Sequence, residues 1–291
     1  MFDQIAILDW SAAKGSRLGK DSIWLGVCDG RTVHARNFPN RTAAQAELAS
    51  FVGTALKKGQ RLLIGADFAF GFPAGFASVL TGQARALAVW DWLSARVTEG
   101  AGHTSNYRAV AAEMNAGFPG FGPFWGNGER SETPGLPRLK PSLPAGLAAH
   151  RHSEILARES GARPKSVWQL AGAGAVGAQV LTGLPVLNAL RVAHPGQVAV
   201  WPFEPPDAQI VMAEVYPSVL HPLVRVELAK GRVQDEAQVS LLALSLARLA
   251  QRGTLGPLFN LPAGGIDIEE EGWLLGAGQS RLLLNALTED I

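Results

Sequence analysis

The chain has 291 residues, 47% hydrophobic and 18% charged, enough apolar material for one large globular domain or a domain carrying a sizeable insertion. Its 26 lysines and arginines nearly balance 25 aspartates and glutamates, which excludes the global positive field behind strong non-specific nucleic-acid binding. The one cysteine, Cys28, excludes an intrachain disulfide and any multi-cysteine zinc site, and points to a reducing, cytoplasmic compartment.

The start, Met1-Phe2-Asp3-Gln4, has neither a basic n-region nor a small-residue cleavage site, so export is not expected. Residues 5–9 read as a buried strand. Residues 22–28 and 32–38 read as two more, forming an antiparallel hairpin through Cys28-Asp29-Gly30-Arg31, where Asp-Gly is a strong turn signal. From Ala43 to Lys58, residues Ala46, Leu48, Ala49, Val52 and Leu56 recur at helical spacing between Thr42 and a stop at Gly59. A fourth strand follows over 61–67, and a right-handed helical crossover lets it lie parallel to the first and beside it.

From Phe68 to about Pro206 the pattern becomes glycine- and proline-rich loops mixed with helices over 77–97, 106–115, 145–159 and part of 167–190. Sheet signals resume at 198–201 and 210–215. A helix over 235–251 then carries Val239, Leu242, Leu246 and Leu249 along one stripe, and Trp273-Leu274-Leu275 returns to pack on the core. The expected organisation is a core of residues 1–67 and 198–291 around a mainly helical insertion, 68–197. The uncharged stretch from Ser166 to Leu190 is long enough to be tested as a membrane span. It contains Gln169, Gln179, Asn188, Pro185 and several glycines, so it reads as buried helix or loop and no membrane association is expected.

Four acidic residues mark element ends. Asp9 closes Ile5-Ala6-Ile7-Leu8, Asp67 closes Leu62 to Ala66, Glu214 closes Ile210 to Ala213, and Asp235 opens the apolar segment Ala237 to Ala250. Carboxylates gathered at the end of a buried sheet are costly to desolvate and repel one another, and a divalent cation resolves both problems. If the first and fourth strands are neighbours, Asp9 and Asp67 lie about 4.8 Å apart in the pairing direction. They would then stand at the carboxyl ends, where open α/β sheets bind ligands. Turn aspartates bonding nearby backbone amides are the alternative. For Asp235 the spacing Asp235-x-x-Gln238 also fits a capping box, which needs no metal, and both roles stay open.

Other features carry weaker chemistry. Lys14, in Ser11-Ala12-Ala13-Lys14-Gly15, can reach a substrate phosphate from the rim or be a solvated turn lysine. The aromatic stretch Phe118 to Gly126 can stack bases, with Arg130, Arg138 and Lys140 meeting phosphates, or can simply pin its loop to the body. Gly172-Ala173-Gly174-Ala175-Val176-Gly177 matches G-x-G-x-x-G, but no strand precedes it and no acid follows at the required distance, so close helix packing explains it better. His150 and His152 lack the spacing and the third partner of a zinc site. There is no G-x-S-x-G elbow and no G-x-x-x-x-G-K-[ST] loop.

The order of strands, helices and acids resembles the ribonuclease H-like fold. More narrowly it resembles a family of predicted ribonuclease H-like nucleases catalogued as a domain of unknown function. The matching pieces are Ile7-Leu8-Asp9-Trp10-Ser11, Gly65-Ala66-Asp67 with Gly71-Phe72-Pro73, Glu214-Val215-Tyr216-Pro217, Lys230, Asp235-Glu236-Ala237 and Glu271-Gly272-Trp273. Family members tend to carry a second acid three residues into the last helix, where this chain has Gln238. The resemblance implies an α/β fold with a mixed sheet and two Mg²⁺ or Mn²⁺ ions, with Asp9 bridging them, Asp67 and Glu214 completing the sites and Asp235 on the second ion. It also marks Lys230 as a phosphate-binding candidate. The function expected is metal-dependent hydrolysis of a phosphodiester in nucleic acid or a nucleotide-like substrate. Near-neutral charge favours a small, structured or single-stranded target over long duplexes. Two other classes stay open: a non-cleaving nucleotide- or phosphate-binding protein on the same scaffold, and a binding module whose acids are structural.

Overall fold

The computed structural model describes residues 2–129, 133–159 and 163–288, so the reading of Arg130 lies outside the described residues. In chain order the elements are β1 (Gln4–Asp9), β2 (Ile23–Cys28), β3 (Val33–Phe38), α1 (Arg41–Lys57), β4 (Leu62–Ala66), α2 (Phe76–Thr81) and α3 (Ala86–Ser94). Two-residue strands β5 (Glu99–Gly100) and β6 (Thr104–Ser105) precede α4 (Tyr107–Ala116), α5 (His152–Glu159) and α6 (Gly177–Ala193). The chain continues with β7 (Val198–Trp201), β8 (Ile210–Glu214), α7 (His221–Ala229), α8 (Gln234–Gln251), α9 (Ile268–Glu271) and α10 (Ser280–Thr288).

The class is α/β, built on a mixed six-stranded sheet of order β3-β2-β1-β4-β8-β7. β2 pairs antiparallel with both β1 and β3, while β1 with β4, β4 with β8, and β8 with β7 are parallel. The expected hairpin is present. Asp29 Oδ1 accepts from the amides of Arg31 and Thr32, and Gly30 turns the chain at φ 92°. Every residue of β4, β7 and β8 is buried, the signature of parallel strands covered on both faces. Helix α1 starts earlier than expected: Asn40, not Thr42, is the N-cap, and its Oδ1 accepts from the Ala43 amide at 2.9 Å.

The chain divides into two compact units. The first comprises Met1–Phe68, Leu190–Ala263 and Leu274–Ile291, and holds the six-stranded sheet. Here α8 lies across β1, β2 and β3, with α7 and α10 packed on it. Ser245 Oγ, buried in α8, donates to the Leu283 carbonyl of α10 at 2.7 Å. Close approach of α8 to the sheet depends on Gly26: a Cβ there would lie 2.7 Å from the backbone carbonyl of Val239.

The second unit comprises Ala69–Ala189 and Gly264–Trp273. Its core is aromatic. Phe76 stacks on Phe118 with ring centroids 5.3 Å apart, and Phe124 meets Trp168 edge-on at 5.2 Å. Buried Glu270 accepts from the amides of Gly75 and Ala77 and from Ser78 Oγ, holding the start of α2. Buried Glu271 accepts from the amides of Ala74 and His152. A Cβ on Gly71 would collide with the Glu270 and Glu271 backbone, so this glycine is needed for packing.

Several expectations change. The helix expected over 77–97 is two helices, interrupted after Thr81 where Gly82 adopts φ 75°. The one expected over 145–159 shrinks to α5, while α6 runs on to Ala193 and accommodates Pro185. The tail splits: Gly264–Trp273 belongs to the second unit, and only the part from Leu274 returns to the sheet, where the Leu275 amide donates to the Glu214 carbonyl. Among the described residues no helix is long and apolar enough to cross a membrane.

Because the obstacle at Gly26 is helix backbone rather than a yielding side chain, Gly26→Ala is expected to destabilise the protein by about 2 kcal/mol. For a chain of this size that lowers Tm by roughly 4–8 °C, checked by thermal unfolding against Gly53→Ala in α1, where a Cβ meets nothing within 4 Å. Equal Tm values for the two variants would contradict the packing described.

Candidate active site

Pairing register decides which acids meet. Leu8 stands opposite Ala66, so Asp9 and Asp67 are the next residues out on adjacent parallel strands, and the Asp67 amide donates to the Leu8 carbonyl at 2.9 Å. Register partners share a sheet face, and faces alternate along a strand. Ile7 is opposite both Gly26 and Gly65, and Gly26 faces α8. Asp9 and Asp67, two residues beyond Ile7 and Gly65, therefore leave the sheet on the α8 side. The first turn of α8 carries Asp235 to the same neighbourhood, because the field of Asp235 acts on both Asp9 and Asp67.

Glu214 behaves differently. It stands opposite Ala66, one register position short of Asp67, so the pleat sends its side chain to the other face of the sheet. It is 3% exposed and bridges to Leu274, and among the charges that raise Asp67 it ranks ahead of Asp235, so it stays close to Asp67 at the strand end.

Asp235 is not a helix cap. It is the second residue of α8, whose N-cap is Val233 with no side-chain cap bond, and Gln238 instead donates weakly to Ser218 Oγ. Its Oδ2 accepts from the Asp21 amide at 2.8 Å, which ties α8 to the loop leaving β1. Asp21 itself has φ 56°, a left-handed conformation unfavourable for a non-glycine residue. Sequence reading missed Asp21: it closes no apolar run, and only the fold brings it to the acids.

The electrostatics follow from this crowding. Burial, and then the charges of Asp67, Asp235 and Asp21, hold the Asp9 carboxyl well above the usual carboxylate range. Burial, and then Glu214 and Asp235, push Asp67 up to about 7. Asp235 is raised by burial, opposed by the Asp21 amide; the Asp21 carboxylate adds to the rise and Lys20 opposes it. Neither Asp9 nor Asp67 receives a side-chain hydrogen bond among the described residues, so neither is a turn aspartate satisfied by backbone amides.

These oxygens suit a hard divalent cation, which would relieve both the desolvation and the repulsion. Among the described residues no three His, Cys, Asp or Glu side chains already stand together as a ligand group.

The expected cations are elsewhere occupied or remote. Lys14 is exposed, and Lys230 is paired with Glu227 at 2.7 Å, in a network where Arg232 joins Glu227 to Glu236. Lys20, not Lys14 or Lys230, is the ammonium whose field bears on Asp235. In the second unit, Phe118 and Phe124 are buried and pin the aromatic loop, while Phe121 is 71% exposed and Arg138 and Lys140 lie on the surface. Gly177 starts α6 directly against the Val167 and Gln169 carbonyls, while Gly172 and Gly174 sit in the turn before it at φ 106° and 70°, so packing explains only the last glycine of the pattern and turn conformation the other two. His150 bonds Glu154 and His152 bonds Glu271. Cys28 is buried, with burial raising its thiol, so it is no nucleophile.

Comparisons with protein-family models, with curated proteins and with solved structures gave no match to this chain.

A carboxyl whose folded pKa lies above its unfolded value favours folding where it holds its proton, and that advantage is lost as pH rises through the folded pKa. With Asp67 at about 7 against 3.8, its contribution to metal-free stability is lost as pH rises from about 4 through 7, and the upward shift of Asp9 acts in the same direction. Thermal unfolding in a chelator between pH 5 and 8 is expected to show this decline. Asp67→Asn should flatten it and raise Tm at pH 8. Parallel profiles for the two proteins would show that the carboxylates do not repel as described.

Proposed function

We propose that the protein is a ribonuclease H-like, metal-dependent phosphodiesterase acting on nucleic acid or a nucleotide-like substrate in a reducing, cytoplasmic setting. The carrying observation is the in-register exit of Asp9 and Asp67 from adjacent parallel strands onto the face where α8 presents Asp235. Strand order supports the same reading: an antiparallel β3-β2-β1 opening continues into parallel β4 and β8, with acids at the carboxyl ends of β1, β4 and β8, as the sequence resemblance implies.

Asp9, Asp67 and Asp235 would hold the divalent cation, Mg²⁺ or Mn²⁺, which when bound supplies Lewis acidity toward a phosphoryl oxygen and an acidified water. Asp9 and Asp67 must give up their protons to bind it, so cation affinity climbs with pH toward and through neutrality. Asp67, with a pKa of about 7, is also able to accept a proton at Oδ near neutral pH when not ligated. The amide of Asp21 fixes Asp235 so that one of its oxygens remains to act. Glu214 acts on Asp67 through its own negative field, which opposes ionisation of Asp67 until a cation is bound.

A bis(nitrophenyl) phosphate or short single-stranded oligonucleotide is expected to be hydrolysed with Mn²⁺ and not with chelator. Removing a ligand should cost at least the upper end of what second-shell changes cost, so Asp67→Asn is expected to slow hydrolysis by about 100-fold or more. Lys230→Ala, which breaks only the Glu227 pair, should leave it within about twofold. No metal-dependent product from any such ester, or full activity in Asp67→Asn, would falsify the assignment.

A further inference from the structure

The loop from β1 to β2 carries both acidic and basic residues. Its Asp21 acts on Asp9 by charge and bonds Asp235 through its amide. Part of the loop, with the start of α1, encloses a small, partly open pocket lined by Ser11, Ala13, Gly15, Arg17 and Arg41 among others.

The pocket measures ≈ 10 Å³. That is room for about one water-sized atom, which admits a single oxygen and excludes a base or sugar ring. Arg41, 4% exposed, is part of the lining, and its guanidinium donates to the Ala13 carbonyl at 2.8 Å and the Ser11 carbonyl at 3.4 Å, which ties the loop to the start of α1. Arg17 also lines the pocket, and its exposed guanidinium has no ion-pair or hydrogen-bond partner among the described residues. Lys14 and Lys20 add exposed positive charge to the same loop. Gly15, which lines the pocket, turns the chain there at φ 80°, and its amide has no protein acceptor among the described residues.

Position relates this pocket to the acids. Ser11 follows Asp9 by two residues, so their Cα atoms are at most about 7 Å apart. Ser11 Oγ also donates to the carbonyl of Asp21, whose amide holds Asp235. An oxyanion in the pocket therefore sits beside, not within, the carboxylate group.

We propose that this pocket is a phosphate subsite, taking one non-bridging oxygen of a second phosphate next to the one at the acids. The proposal rests on the phosphodiesterase reading for the other half of the ligand. It narrows the substrate to one carrying at least two neighbouring phosphates, as in an oligonucleotide or a nucleoside polyphosphate ester, and disfavours a cyclic mononucleotide.

The test titrates inorganic phosphate, at constant ionic strength and without metal, into the full chain while following backbone amide and arginine Nε resonances. Saturable shifts centred on Gly15, Ser16 and Arg17 are expected in wild type and in Asp67→Asn. Arg17→Glu, with resonances elsewhere unchanged, is expected to bind at least about tenfold more weakly, since a charge-assisted bond is replaced by repulsion. No shifts at these residues, or equal affinity in Arg17→Glu, overturns the subsite. A second arm compares Mn²⁺-dependent cleavage of a dinucleotide with and without a 5′-phosphate: the phosphate should lower KM in wild type and not in Arg17→Glu. Cleavage without phosphate shifts removes the subsite and leaves the catalytic reading standing. Phosphate shifts lost in Arg17→Glu, with no cleavage of any ester, uphold the anion site while the catalytic reading fails.

Discussion

Two aspartates leave neighbouring parallel strands at the same register and on the same face, with no counter-charge bonded to either among the described residues, and the elements around them are placed by that pairing. The like charges sit where α8 covers the sheet, so burial and repulsion act together and both carboxyls are pushed toward neutrality. What brings α8 so near is the absence of side chains. Gly26 meets the Val239 backbone, and Gly65 makes way for Ile7 and Val215. A tightly seated α8 then delivers Asp235, and Asp21 accepts an unfavourable backbone conformation while its amide bonds the Asp235 carboxylate. A site that keeps unneutralised acids at the cost of stability is the kind of local conflict expected where function, not folding, sets the residues.

Much of this was legible in the sequence because it rests on local signals. Apolar runs ending in Asp9 and Asp67, the Asp-Gly hairpin and a helical crossover place β1 beside β4, and the structure pairs them in parallel. What was not legible depends on tertiary register. Whether Glu214 joins the aspartates is decided by a one-residue offset against Ala66, which the run Ile210 to Ala213 does not encode. Asp235 resembled a cap because Gln238 follows at capping-box spacing, yet α8 begins at Gln234 and its cap is Val233. Asp21 and Lys20 had no pattern to reveal them, since a loop residue gains its role only when the loop folds back on α8.

The pieces of the resemblance serve different purposes. Asp9, Asp67 and Asp235 gather at one sheet end, whereas Gly71-Phe72-Pro73 and Glu271-Gly272-Trp273 meet in the second unit and hold it together. There Gly71 lies against the Glu270 and Glu271 backbone, and both glutamates accept backbone amides. A buried carboxylate supplied with several N–H donors is stable without metal, which is the condition Asp9 and Asp67 do not meet. Acidic residues of similar prominence in the sequence are thus separated by what surrounds them: donors in one unit, other acids in the other.

Anomalous diffraction from a crystal soaked in Mn²⁺ tests the central claim most directly, because it locates a cation against named side chains without requiring a substrate. The account predicts a peak coordinated by Asp9 and Asp67 with Asp235 beside it, on the α8 face of the sheet. No peak there at high Mn²⁺, with both aspartates still carrying no ion, would contradict it and leave a site whose acids serve something other than metal-dependent phosphoryl chemistry.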